Sequence, residues 1–311
     1  MTSDNAIRRL LPDVASEANP AQAGALDWVG MDAVEMPVLL SGGPDDEPQR
    51  LSARIAVAVN LRRADARGIH MSRLYLQLDR HLSADPVTPA SLRRLLRDFL
   101  ASHEALSDRA RVRLQCDYLV RRAALASDNS GWRAYPVTLG AQLDETGFVA
   151  ELGLQIGYSS TCPASAALAR QIIQERFAHA FGGDAPLDRA AVLAWLGSSD
   201  GIAATPHSQR STARVEVRLG TVAGFPVIEL IDRLEAALAT PVQSAVKRTD
   251  EQAFALANGQ NLMFCEDAAR RLRAVLERDE RILDYRIRAA HHESLHPHDA
   301  VATVSRGTWE G

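Results

Sequence analysis

The chain has 311 residues, of which 46% are hydrophobic and 24% charged, enough to bury a sizeable core as one large domain or two ordinary ones. A formal net charge of −4 excludes a global basic field for nucleic acid or an acidic membrane, so an anionic ligand would have to be met by local cations. Three scattered cysteines suit a reducing cytoplasm rather than a disulfide framework. With no secretory leader evident and no apolar run of membrane-spanning length, the chain reads as soluble and cytoplasmic.

Residues 1–50, rich in Asp, Pro, Ala and Gly, read as an irregular lead-in with a short ordered piece near Val34–Leu40 and a loop at Ser41–Asp46. Ile55–Val59 predicts a strand, and so does Met71–Leu78, where Leu74, Leu76 and Leu78 alternate. Thr88-Pro89 offers an N-cap and a first-turn proline for a helix whose apolar face is Leu92, Leu95, Leu96, Phe99 and Leu100. Val112 to Val120 alternates as a long strand, and Trp132–Leu143 reads as another, placed at an edge or bulge by Pro136. The first half is therefore expected to run β-β-α-β-β.

Further on, Phe148–Tyr158 predicts a strand, Ala164–Phe181 a helix stopped by Gly182-Gly183, and Asp188–Leu196 a shorter helix. Ser211–Leu219 alternates. Val227 to Leu238 and Glu266 to Leu276 carry helical apolar faces, and strands follow at Leu283–Ala289 and Val301–Thr303. Without the stretch 164–204 this half reads β-β-α-α-β-β, so the chain reads as two related α+β units, 51–146 and 147–311, the second with a helical insertion. A local echo agrees with duplication: Gly68-Ile69-His70-Met71-Ser72-Arg73 and Thr205-Pro206-His207-Ser208-Gln209-Arg210 each set a His and an Arg at a strand entrance.

The conspicuous chemistry is at the tail. His291-His292-Glu293-Ser294-Leu295-His296-Pro297-His298 could bind metal, shuttle protons or contact phosphate, or be a polar loop between two strands, which is the reading the cluster alone favours. Cys162 lies where a strand meets a helix, and the positive end of a helix dipole suits a thiolate acting as nucleophile or metal ligand; an inert half-buried cysteine is the plain alternative. Cys116 and Cys265 read as core cysteines. His207 reads alone as a loop histidine, Glu251 as part of a helix N-cap region and Glu266 as a first-turn glutamate. Taken together, one thiolate, one imidazole and one carboxylate would leave a fourth tetrahedral position for water. No Cys-x-x-Cys pair, P-loop or dinucleotide fingerprint is present in the sequence.

Six blocks in order carry a resemblance: Gly68 to Arg73, Thr161-Cys162-Pro163, Pro206 to Ser211, Lys247-Arg248-Thr249-Asp250-Glu251, Phe264-Cys265-Glu266-Asp267 and Glu293 to His298. From about residue 27 to 308 the chain resembles the type IB GTP cyclohydrolase I family, the zinc-independent counterpart of the type IA enzyme. The resemblance implies a tunnelling fold of two β-β-α-α-β-β modules, a homotetramer with sites between subunits, and a hydrolase that opens the imidazole ring of GTP. Its products would be formate and 7,8-dihydroneopterin triphosphate, at the first committed step of folate synthesis. It implies Cys162, His207 and Glu251 as ligands of a divalent ion, Mn2+ or Zn2+ with Fe2+ a further candidate. Glu266 would anchor the guanine edge, and His296 and His298 would line the reaction centre. His70, Arg73, Arg210, Lys247 and Arg248 are the candidate partners of the triphosphate. Three departures stand out: Ala164 where the family often has a second cysteine, Ser208 where Asn often follows the His, and the long insertion. The alternatives are another purine or pterin enzyme on the same fold, or a purine-binding homologue without catalysis.

Overall fold

The computed structural model describes residues 23–43, 46–183 and 186–309. The first 22 residues of the expected lead-in lie outside these. Eight strands form one antiparallel sheet in chain order: β1 (Leu26–Leu40), β2 (Gln49–Leu61), β3 (Ala110–Ala123), β4 (Ser130–Asp144), β5 (Gly147–Thr161), β6 (Ser208–Leu219), β7 (Ile282–His291) and β8 (Ala300–Arg306). The helices among the described residues are α1 (Met71–Leu82), α2 (Pro89–Ser102), α3 (Pro163–Ala180), α4 (Arg189–Leu196), α5 (Val227–Leu238), α6 (Arg248–Gln260) and α7 (Cys265–Leu276). Of these, α1, α2, α5 and α7 pack on one face of the sheet, and α6 touches it at β5. The core lies between these layers, with Ile55, Val57, Leu114, Tyr135, Leu154, Val215 and Ile287 turned from the strands toward Leu78, Leu95, Leu234 and Leu272 of the helices. The other sheet face is polar: Arg218–Glu151 at 3.0 Å and Arg286–Glu216 at 2.7 Å span neighbouring strands, and Arg113 of β3 reaches Glu216 of β6 at 3.4 Å.

The chain departs from the expectations in several places. The segment near Val34–Leu40 is the end of a 15-residue strand that begins at Leu26. Met71–Leu78 is helical, not extended: α1 buries Leu74, Leu78 and Leu82, four apart, and leaves Leu76 67% exposed. The apparent alternation concealed that period, and the first half is β-β-α-α-β-β. The His–Arg echo therefore opens a helix in one place and a strand in the other. Lastly, α6 was not foreseen, because its buried side is confined to Asp250 and gives no apolar stripe.

Other signals hold. Thr88 caps α2 in a reciprocal capping box with Ser91, and Pro89 opens the helix. Pro136 is the exception: expected to mark an edge or a bulge, it lies in the central, unbulged β4, one residue beyond Val137, the last β4 residue paired with β5, so its missing N–H leaves no rung to β5 unmade. Gly183, at φ +116°, follows the end of α3. The connection between β5 and β6 stands off the sheet: α3 buries only Ala166 and Ala169, and Phe177 and Phe181 of α3 and its C-cap stack around Trp195 of α4. Among the described residues no helix is long and apolar enough to cross a membrane.

Candidate active site

The chemistry-bearing residues meet at one end of the second half of the sheet. β5 and β6 pair up to Thr161↔Ser208, and the ladder gains one more rung where Cys162 N–H donates to the His207 carbonyl at 3.2 Å. Ser165 Oγ accepts from His207 N–H at 3.1 Å. The insertion thus leaves and returns at adjacent positions, and strand pairing brings together two residues far apart in sequence. Thr161 O also receives Met263 N–H at 3.1 Å, which sets the start of α7, with Cys265 and Glu266, beside the same joint.

Cys162 is the N-cap of the 18-residue α3, and its Sγ accepts from Ser165 N–H at 3.5 Å. The sulfur sits at the positive end of that helix. His207 is held from behind. Its Nδ1 lies 3.0 Å from Gln209 Oε1, while Gln209 Nε2 donates to Ser160 Oγ at 2.9 Å and Ser160 pairs with Ser211 at 2.8 Å. Because the amide nitrogen is committed to Ser160, its oxygen faces the ring, so Nδ1 carries the proton and Nε2 keeps a free lone pair. That arrangement is the one a metal-ligating imidazole uses. Glu293 Oε2 lies 3.6 Å from the same Nδ1 and is buried without a hydrogen-bond partner. The Cys162 sulfur and an imidazole with an open nitrogen are donors of the kind a divalent ion takes, and the under-satisfied Glu293 carboxylate stands behind the imidazole.

Glu251 does not join them in one chain. It lies exposed on the first turn of α6, and among the described residues no three His, Cys, Asp or Glu side chains converge on one ion-sized point. Glu266, in the first turn of α7, is exposed; its own backbone N–H and the Cys265 thiol hold its carboxyl below the usual range. Cys265 Sγ donates to Glu266 Oε2 at 3.2 Å, and burial pushes that thiol up to about 11, so it stays a donor.

The tail cluster divides in an unexpected way. His296 and His298 stack on each other, centroids 5.1 Å apart, on the exposed loop after β7. His292 is exposed and held between Asp299 and Thr212. His291 is buried, 3.0 Å from Tyr158 OH, and burial pulls it down to about 4 despite the Glu266 charge. It is a neutral ring in the wall behind the site. Its alternation along β7 with Tyr285, Ile287 and Ala289 was the signal that it faces inward.

The candidate cations are dispersed. Arg210 is exposed on β6, where its carbonyl accepts His292 N–H at 3.1 Å. Lys247 caps α6 and pairs with Asp128 at 2.6 Å, and Arg248 follows on the exposed first turn. His70 caps α1 in the first half, and Arg73 donates to the Ser102 carbonyl at 2.7 Å, at the end of α2.

An open antiparallel sheet of two β-β-α-α-β-β halves, with helices on one face and polar groups at its strand ends, defines a tunnelling-fold protein. The crystal structure of uricase from Arthrobacter globiformis superposes with a TM-score of 0.51 over 92% of this chain and 96% of that one, at 12% identity, which shows the shared fold. Within that class the chain belongs to the type I GTP cyclohydrolase FolE2 family, whose model matches residues 11–302. A curated relative, GTP cyclohydrolase FolE2 of Pseudomonas putida (strain GB-1), is 51% identical over 301 residues, covering 96% of this chain and 97% of that protein.

Proposed function

We propose that the protein is a GTP cyclohydrolase I that converts GTP and water to 7,8-dihydroneopterin triphosphate and formate in the cytoplasm, the first step of tetrahydrofolate synthesis. The observation that carries this reading is the 51% identity with a GTP cyclohydrolase along nearly the whole of both chains. The site is consistent with it. Cys162 and His207 would hold a divalent ion, Mn2+ or Zn2+ with Fe2+ also suited to the donor set, and Glu251 would complete it. An ion held there would lower the pKa of a bound water, the chemistry that attack at guanine C8 near neutral pH requires. A homotetramer with its sites between subunits accounts for a Glu251 that stands apart from Cys162 and His207 within one chain.

The chain's own groups then have definite tasks. Glu266, kept ionised at a helix start, accepts N–H bonds from the guanine edge. His296 and His298 carry protons to the ring nitrogens as the imidazole opens. A second water cleaves the formamide, formate leaves, and the freed amine closes the new ring on the sugar carbons with loss of water. Arg210, Lys247 and Arg248, with His70 and Arg73, supply the positive charge for the triphosphate.

The test is metal-stripped protein given GTP with Mn2+, Zn2+ or Fe2+, read by formate and neopterin release. Turnover that a chelator abolishes supports the reading, and no turnover with any of the three ions overturns it. Glu266→Gln is expected to raise KM for GTP by roughly tenfold to a hundredfold, since a site built to receive N–H groups tolerates a lost acceptor poorly. An unchanged KM removes Glu266 from guanine recognition.

A further inference from the structure

Asp250 is fully buried, yet its neighbour Glu251 is exposed. The Asp250 Oδ1 accepts from the backbone N–H groups of Ala126 and Ser127, both at 2.8 Å. Its Oδ2 accepts from Ser127 Oγ at 2.6 Å and from Lys247 N–H at 2.7 Å. A buried carboxylate requires such a full set of donors. They come from two distant places: the turn joining β3 to β4, closed by Ala124 N–H to the Asn129 carbonyl at 2.9 Å, and the N-cap of α6. Capping α6 uses only the Lys247 N–H. The bonds to Ala126 and Ser127 go beyond capping and tie the first turn of α6 to the first half of the sheet. Lys247 Nζ adds an outer pair to Asp128 at 2.6 Å, exposed and so of minor weight.

We propose that Asp250 and Ser127 form a positioning clamp that holds the first turn of α6, and with it Glu251, in the orientation needed to ligate the metal. This rests on the function proposed above. Neither residue touches the substrate. The clamp acts by fixing the backbone that carries Glu251 and Arg248, and it makes metal affinity depend on a turn contributed by the other half of the sheet.

The test uses full-length protein with Ser127→Ala, which removes one donor, and Asp250→Asn, which sets an amide N–H₂ against the donors of Oδ2 or Oδ1. Mn2+ affinity is measured without GTP, from the spin-resonance signal of free Mn2+, beside formate-release kinetics and the thermal midpoint. Supporting groups behind metal ligands are worth roughly tenfold to a hundredfold in affinity. Ser127→Ala is expected near the lower end and Asp250→Asn near the upper, each with a matching loss of kcat/KM at fixed Mn2+. A lowered thermal midpoint with unchanged Mn2+ affinity would make the clamp merely structural and overturn the proposal. Should Asp250→Asn not fold, Ser127→Ala decides alone. If the wild-type protein binds Mn2+ but does not turn over GTP, the function reading fails while the Mn2+ comparison still judges the clamp. Wild-type protein that binds no Mn2+ overturns the clamp as well.

Discussion

Two helices of this chain start with nearly the same four residues and use them differently. Thr88-Pro89-Ala90-Ser91 opens α2, and Cys162-Pro163-Ala164-Ser165 opens α3. At α2 the box closes on itself: Ser91 N–H donates to Thr88 Oγ1 at 3.1 Å and Thr88 N–H to Ser91 Oγ at 2.9 Å. At α3 the first bond survives, from Ser165 N–H to Cys162 Sγ at 3.5 Å, but the return bond is not made. Cys162 N–H goes to the His207 carbonyl instead, and Ser165 Oγ takes His207 N–H. The box has been opened around a second strand. The same local rule that ends a loop in the first half assembles a thiol–imidazole pair in the second, and Ala164 matches Ala90 in that rule. What separates a structural cap from a candidate active site is a cysteine thiol in place of a threonine hydroxyl, and a strand placed to receive the freed groups.

The largest effect that follows is at the pair itself. Cys162→Ala and His207→Ala are each expected to lower metal-supported formate release at least about a hundredfold, since losing a ligand should exceed losing a group behind one. If either variant keeps full activity, the contrast between the two helix starts is only a packing difference.

Next is the wall behind the site. The strand end beside the α3 start carries buried His291, whereas β3, its counterpart in the first half, ends at Ala123. An unfolded histidine titrates at about 6.5, and burial holds His291 down to about 4. Between those values the unfolded chain binds a proton that the folded one refuses, so stability is lost as pH falls from about 6.5 to about 4 and no further below. The loss reaches about 3 kcal/mol at the acid end. Urea unfolding at pH 7 and pH 4.5 should show a smaller acid loss for His291→Gln than for the wild type. Equal losses would mean that His291 is not kept neutral by its surroundings.

Much of this was legible in the sequence, for reasons that can be named. β3 and β6 alternate along their length because one face packs on helices and the other stays polar, and Thr88-Pro89 announced α2 through its cap. Met71–Leu78 reads as a strand because Leu76, an exposed leucine, completes a false alternation over a four-residue period. The site residues were legible as a set only through the resemblance of ordered blocks, since no spacing rule links Cys162 to His207. Their adjacency is created by the register Thr161↔Ser208, which only the folded sheet displays. The Gln209–Ser160–Ser211 chain that fixes the His207 tautomer had no signal beyond polar residues on the otherwise apolar inward face of a strand pair.

Finer still is the role of the box serines. Ser165→Ala removes the acceptor of His207 N–H, and a group that orients a ligand is worth roughly tenfold in Mn2+ affinity, measured by titration without GTP. Ser91→Ala, at the matching place in α2, should leave Mn2+ affinity unchanged. Equal behaviour of the two variants would erase the distinction between a closed and an opened box.

The smallest effect tests the caps as caps. Thr88→Ala removes a hydroxyl acceptor from α2 and is expected to cost about 1 kcal/mol in urea unfolding, without loss of kcat per folded molecule. Cys162→Ser supplies a hydroxyl oxygen, a better acceptor than sulfur, where α3 begins, so its stability should match or slightly exceed the wild type while Mn2+ affinity falls. Cysteine would then be held at this position against the preference of the helix. A Cys162→Ser protein that is clearly less stable would show instead that the sulfur fills space the fold needs, and the cap comparison would lose its force.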